Sequence, residues 1–427
     1  MSQFELEFSY IMELYIDNFK GFRDTIIPLS GVNFFVGENS TGKTAILNLL
    51  EVMSKPSFWI EPDFNPGEIE LGYFSEMITQ NCQGERCFAI GAYMDEEKDS
   101  DPYSGYIWIK FCEKESSPAV KEFRFITGNT SVWCYLEDDS TIMYQTKPIL
   151  LGVSFSDWIH DSENYNDKQT LEIKYKAPFG IKRSMVEDRI LGQNNEGRGR
   201  IIMPRDFNRF IWMAPIRAKA KRWYESYKVS FSPEGDHIPL FLKRYLEGSS
   251  KKVQAFVSEM NDFGKKSGLF DEIIVKNNDK ETPFALFVKY GKLCVNINNV
   301  GYGVSQVLPL AVEMLTSKGD SFAIQQPEVH LHPKAQAAFG ELIHKVATKY
   351  KNRIIIETHS DYLIDRFRYT VSKEKGRVGA QVVYFQRDDS GLHITIMPID
   401  NRGQFVGDIP QSYMDFFFEE ELKMLEM

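Results

Sequence analysis

The sequence predicts an α/β protein with a mostly parallel sheet, an antiparallel β subdomain and an inserted lid region. Three observations carry this. The run Gly31–Met53 reads strand, glycine loop, helix; strand-like and helical patterns alternate from about residue 305; and β-branched and aromatic runs separated by polar turns fill the stretch between 87 and 146.

Taken in order, Glu13–Arg23, Thr25–Leu29 and Gly31–Val36 read as strands punctuated by Gly, Pro and Asn. Ala45–Met53 spaces its apolar residues as a buried helix does. Cys87–Met94, Gly105–Phe111, Phe123–Ile126, Ser131–Leu136 and Thr141–Thr146 follow as strands, and the polar segment Ile190–Arg200 reads as a mobile loop. Phe210–Ile216 returns to a buried strand. Helices are expected at Ile238–Leu246, Lys251–Phe263, from Ser305, at Pro333–Tyr350 and at Asp361–Tyr369, with strands at Ser321–Ile324 and Arg353–Glu357.

With 427 residues, 50 Lys+Arg and 60 Asp+Glu, the chain carries a formal charge of −10, which excludes a general nucleic-acid coat but not a local basic patch. At 43% hydrophobic and 26% charged it is composed as a globular protein. The apolar runs fall short of a membrane span and the first residues lack the pattern of a secretion signal, so a cytoplasmic location without membrane contact is expected. Cys82, Cys87, Cys112, Cys134 and Cys294 are scattered, and reduced thiols are expected.

Gly37-Glu38-Asn39-Ser40-Thr41-Gly42-Lys43-Thr44 fits G-x-x-x-x-G-K-[ST], between an apolar strand and a helix. Its backbone N–H groups, with Ala45 in the first helical turn, are expected to surround phosphates; Lys43 should reach the β and γ phosphates and Thr44 should place its hydroxyl on Mg²⁺. ATP and Mg²⁺ are the cofactors this implies. A second strand should bring acids to the metal, and the candidate is Ser321–Pro333, which offers Gln325, Gln326 and Glu328; a third strand ends at His359, a candidate γ-phosphate sensor.

Tyr15-Ile-Asp-Asn-Phe-Lys-Gly-Phe22, the P-loop, Ala214-Pro-Ile-Arg217, Asn299–Pro309, and Gln326–Pro333 with Glu357-Thr-His-Ser360 together resemble the ABC-type ATPases of the SMC-like and OLD (overcoming lysogenisation defect) class, especially those of bacterial anti-phage systems. The C-terminal Asp408–Phe416 also looks like the ending of this class. The resemblance implies an ABC-type P-loop ATPase head divided into an N-terminal P-loop lobe (1–71), a β-rich insertion (72–204), a strand with helical lid (205–270) and a C-terminal lobe with signature, Walker B and His-switch (271–427). It makes Gly301–Gln306 the signature, with Ser305 contacting the γ-phosphate of the opposite subunit, places Arg217 near the nucleotide, and implies a homodimer or higher oligomer through shared nucleotide sites.

The departure from the class is Gln325 and Gln326, where it usually places acids. Glutamine can coordinate or hydrogen-bond but cannot serve as a general base. Hydrolysis is then slow, or Glu328 or His359 takes over, or the chain is an engineered hydrolysis-defective form. Arg217, Lys219, Lys221 and Arg222 with Trp223 and Tyr224 form a basic aromatic stretch that suits a DNA contact, against the commoner reading of a solvated face. His330 and His332, at i, i+2, lack the spacing of a helical metal pair. About seventy residues after His359 are too few for a toprim nuclease domain of ordinary size. The expectation is a sensor or scaffold subunit restraining a nuclease partner, such as the HNH effector of Septu-like or the toprim effector of PARIS-like systems. The alternative is an SMC-like DNA repair ATPase.

Overall fold

The computed structural model describes residues 12–67, 69–80, 85–94, 105–149, 152–173, 176–192, 210–225, 227, 230–276, 283–374, 377–388 and 391–417. Most of the expected loop at 190–200, and Cys82, lie outside them. By its contacts the chain divides into two units, one of Met1–Ser30, Ser40–Asn208 and Phe385–Ile394, the other of Gly31–Asn39, Arg209–Tyr384 and Thr395–Met427.

The second unit holds a sheet in the order Phe210–Met213, Ser321–Gln325, Arg353–Glu357, Val32–Gly37, Ala380–Asp388, Gly391–Ile399. The first four run parallel. Phe34, Val36, Phe322, Ile324, Ile354 and Ile356 are fully buried, as expected of parallel strands covered on both faces. The helices Lys251–Ser267, Tyr302–Thr316, Pro333–Tyr350 and Asp361–Lys373 contribute Phe263, Val307, Leu310, Phe339, Ile343, Leu363 and Phe367 to the same core. Sequence-local chemistry sets their starts. His332, weighed above as a metal ligand, precedes Pro333 and accepts a hydrogen bond from the Ala335 amide at 3.3 Å, and Ser360 Oγ accepts one from the Leu363 amide at 3.1 Å.

Ordering the strands by register aligns their carboxyl ends. Gln325 lies opposite Glu357 and Glu357 opposite Phe35, two residues before the P-loop begins at Gly37. One sheet edge therefore receives the Walker B residues, the His-switch and the entry to the P-loop, the edge at which open α/β sheets bind ligands. The buried strand of Phe210–Ile216 is shorter than expected: it ends at Met213, before Pro215, and Ile216 is 73% exposed.

In the first unit an antiparallel sheet runs Thr25–Leu29, Met12–Asp17, Cys87–Met94, Ile107–Lys114, Ser117–Thr127, Thr130–Leu136, Thr141–Pro148, Gln169–Glu172. Met12–Asp17 pairs with Cys87–Met94, so the opening hairpin and the inserted strands share one sheet. This register corrects the expectation of reduced thiols. Cys87 and Cys112 sit directly opposite each other with Cα atoms 4.3 Å apart and form a disulfide. They are 25 residues apart in the chain, so only the pairing of the strands brings them together. Cys134 and Cys294 are free. No helix among the described residues is long and apolar enough to cross a membrane.

Candidate nucleotide site

The P-loop helix, Lys43–Ser54, begins after Gly42, whose φ of 88° is open to glycine and costly to other residues, and no side chain caps it. The amides of its first turn lie where a helix start receives an anion. A Cβ on Gly42 would lie 2.5 Å from the ring of Phe22, so the opening Asn-Phe-Lys-Gly-Phe motif has a physical role: its last phenylalanine fills the space beneath the glycine. Ser40 is also left-handed, at φ 63°, and its carbonyl accepts a hydrogen bond of 2.9 Å from Arg387. Lys43 is buried, with Nζ 3.4 Å from Thr41 Oγ1, and Thr44 is exposed.

In the second unit the motifs converge on Arg217. The residue is 1% exposed. Its Nη2 donates to the Gln325 carbonyl at 2.8 Å, and its Nη1 to the carbonyls of Pro215 at 3.2 Å and Gln326 at 3.4 Å. Its own peptide is clamped by the side chain of Gln306, which accepts from Arg217 N at 3.2 Å and donates to Arg217 O at 3.3 Å. Burial pulls the guanidinium down to about 10 and Glu328 opposes the shift, so Arg217 remains a cation at neutral pH. The resemblance places Arg217 near the nucleotide, and in the structure its terminal nitrogens bond main-chain carbonyls. The helix of Gln306 and the end of the Ser321–Gln325 strand are joined through this one residue, the helix by its peptide and the strand end by its guanidinium.

Glu328 continues the network. Its carboxylate accepts from Thr358 Oγ1 at 2.9 Å and from the His359 amide at 2.7 Å. Burial pushes it above the usual carboxylate range, while these hydrogen bonds and Arg217 pull it back. A carboxylate so held fixes the backbone of the Thr358–His359 segment. The ring of His359 packs against Phe416, at 5.9 Å, from the C-terminal motif. Ser360 Oγ donates to Gln336 at 2.6 Å, and Gln336 returns a bond of 2.8 Å to the Leu331 carbonyl in the Walker B loop.

Gln325 is 5% exposed, and its amide makes no hydrogen bond with any described residue. Gln326, at φ 41°, spends its N–H on the Glu357 carbonyl at 2.8 Å. Glu357, which the sequence reading passed over in favour of His359, stands in register beside Gln325 and so faces the same side of the sheet. An amide oxygen and a carboxylate are hard donors of the kind Mg²⁺ takes, and the buried, unbonded Gln325 amide fits a site kept for a ligand. The neutral amide contributes no charge to it.

Ser305 lies in the first turn of its helix rather than at the cap. Gly301 is the cap, and Ser305 Oγ bonds back to the Tyr302 carbonyl at 2.8 Å. Tyr302 is exposed and meets His330 edge-on at 5.1 Å, so the Walker B loop packs on the start of the signature helix. Among the described residues Glu328, His330 and His332 form no metal-ligand cluster. The basic stretch splits. Tyr224 stacks on Phe284 at 5.7 Å, while Trp223, Lys219, Lys221 and Arg222 stay exposed, with Lys221 paired to Asp236 at 3.3 Å.

Gln306 and Thr358 were not singled out beforehand. A glutamine inside a helix and a threonine after a strand carry no local signal until Arg217 and Glu328 are seen to need them. Replacing Arg217 by methionine takes the guanidinium away from the carbonyls of Gln325 and Gln326, while the Gln306 amide keeps its bonds to the peptide of residue 217. A loss of roughly 2 to 4 kcal/mol in unfolding free energy is expected by denaturant titration. Arg217→Lys recovers little of it, because one ammonium cannot reproduce a planar fork.

A curated relative, the OLD nuclease of Thermus scotoductus, is 20% identical over 395 residues, covering 89% of this chain and 65% of its own length. The chain thus spans about 65% of the length of that relative. Among solved structures, an SMC head bound to the C-winged helix domain of ScpA superposes with a TM-score of 0.43 at 14% identity, covering 92% of this chain and 98% of that one. The SMC head domain from Thermotoga maritima gives 0.38 at 13%, covering 91% and 98%. The model of the AAA ATPase domain family matches residues 10–202 and 214–364, and the chain belongs to this family.

Proposed function

We propose that the chain is a nucleotide-binding regulatory subunit that holds ATP with Mg²⁺, turns it over slowly, and in its ATP-bound oligomer restrains a nuclease partner of the HNH or toprim type in anti-phage defence. The observation that carries this reading is a complete P-loop in a chain whose Walker B positions are neutral. Gln325 can accept a ligand but not a proton at neutral pH, and Glu328, the nearest acid in the motif, is engaged by Thr358 and the His359 amide. Magnesium would supply charge neutralisation for the phosphates. The chain's own groups would bind and orient: in the first unit Lys43 and the amides after Gly42 take phosphates, and in the second Gln325 and Glu357 offer oxygen donors while Glu328 holds the His359 segment in place. Ser305, which bonds within its own turn, would release that bond to meet a phosphate from a second protomer.

The exposed Trp223 and its neighbouring cations favour a second reading, an SMC-like DNA-binding ATPase. The two readings separate on two measurements. Gln326→Glu supplies the missing general base, and an increase in Mg²⁺-dependent ATP turnover of about tenfold or more over the parent is expected; a robust parental rate that survives Glu328→Ala contradicts slow turnover. If DNA is the partner, binding at low salt is lost in a Lys219/Lys221/Arg222 charge-removal variant. Absence of DNA binding at low salt removes the second reading.

A further inference from the structure

The end of the strand Ala380–Asp388, from Phe385 onward, belongs to the first unit, as does the P-loop from Ser40. Phe385 and Arg387 are two residues apart on that strand and so share one of its faces. Both meet the P-loop. The Phe385 ring, fully buried, lies edge-on to Phe22 at 6.2 Å, and Phe22 is the ring that fills the space beneath Gly42. Arg387 reaches the loop directly: its Nη2 donates to the Ser40 carbonyl at 2.9 Å, across 347 residues of sequence.

Ser40 is where the loop needs a hold. It is exposed and left-handed, a conformation that costs serine more than glycine and persists where surrounding contacts enforce it. Its carbonyl accepts from a cation, so the bond is charge-assisted and polarises the Ser40–Thr41 peptide. In a planar trans peptide the carbonyl and the following N–H point opposite ways. Holding the Ser40 oxygen toward Arg387 therefore sets the Thr41 N–H on the other side. Thr41 is buried, and its Oγ1 lies 3.4 Å from the ammonium of Lys43. The peptide thus runs from an exposed residue to a buried one beside the P-loop lysine, with an exposed guanidinium on its carbonyl.

We propose that Arg387 is a positioning residue for nucleotide binding. By holding the Ser40 carbonyl it keeps the Ser40–Thr41 peptide in one orientation, with its N–H polarised for a phosphate before the ligand arrives. The inference rests on the reading that the P-loop takes ATP. One N–H serves one carbonyl here, in contrast to the fork of Arg217, so a lysine can take over part of the task.

The test compares the full chain with Arg387→Met and Arg387→Lys, by titration with ATP and Mg²⁺ and by hydrogen exchange at the amides of Thr41–Thr44 without nucleotide. Arg387→Met is expected to raise the Kd for ATP about tenfold, the scale of one hydrogen bond, and Arg387→Lys to recover part of the affinity. Exchange at Thr41–Thr44 speeds up in Arg387→Met. The thermal midpoint without nucleotide stays within about 2 °C of the parent, because Arg387 is exposed, so weaker binding does not report misfolding. ATP binding unchanged in Arg387→Met, while the parent binds, overturns this role and leaves the nucleotide reading standing. A raised Kd with unchanged exchange also overturns it, since the arginine then acts on the nucleotide without positioning the loop. A parent that binds no ATP defeats both.

Discussion

A buried guanidinium with no carboxylate bonded to it is the constraint around which the second unit is arranged. Arg217 costs free energy to remove from water, and the structure meets that cost with the carbonyls of Pro215, Gln325 and Gln326. The last two belong to the end of the Ser321–Gln325 strand, where Gln326 turns left-handed. Gln306 then has to present its amide from the signature helix at one place. The planar fork ties the Ala214–Arg217 segment to the end of the Ser321–Gln325 strand, a task lysine cannot perform, and the peptide of the same residue ties in the helix that carries Gln306.

The same economy governs the groups nearest the chemistry. Glu328 is an acceptor for Thr358 and for the His359 amide before it is anything else. Gln325 keeps an unbonded amide at the sheet edge, and Glu357 stands beside it in register. An arrangement of this kind is built for holding a ligand in a fixed geometry, with little provision for moving a proton. In a chain of net charge −10 the neutrality of positions 325 and 326 is a local property of the site, unrelated to any shortage of acids.

Much of this was legible in the sequence because it is local. The P-loop follows from eight consecutive residues, the strand Cys87–Met94 and the helix Ile238–Leu246 from their own periodicity, and the sheet edge from where apolar runs end. What was not legible depends on register and depth. The Cys87–Cys112 disulfide exists because two strands pair at one offset. The Phe179–Ile190 helix escaped notice because it buries Lys182, Arg183 and Glu187, so its inner face carries no apolar stripe. Arg217 stands in a basic run with Lys219 and Arg222, and burial is what distinguishes it from them. The helix expected from Ser305 begins three residues earlier, at Tyr302, with Gly301 at its cap.

If nucleotide is held between protomers and consumed slowly, its presence must be visible in the size of the particle. The direct measurement is the mass of the purified chain with and without ATP and Mg²⁺, beside Lys43→Ala. The account predicts a larger assembly that persists in ATP over many minutes and is absent in Lys43→Ala. A mass indifferent to ATP, or an assembly that forms equally well without Lys43, would contradict it.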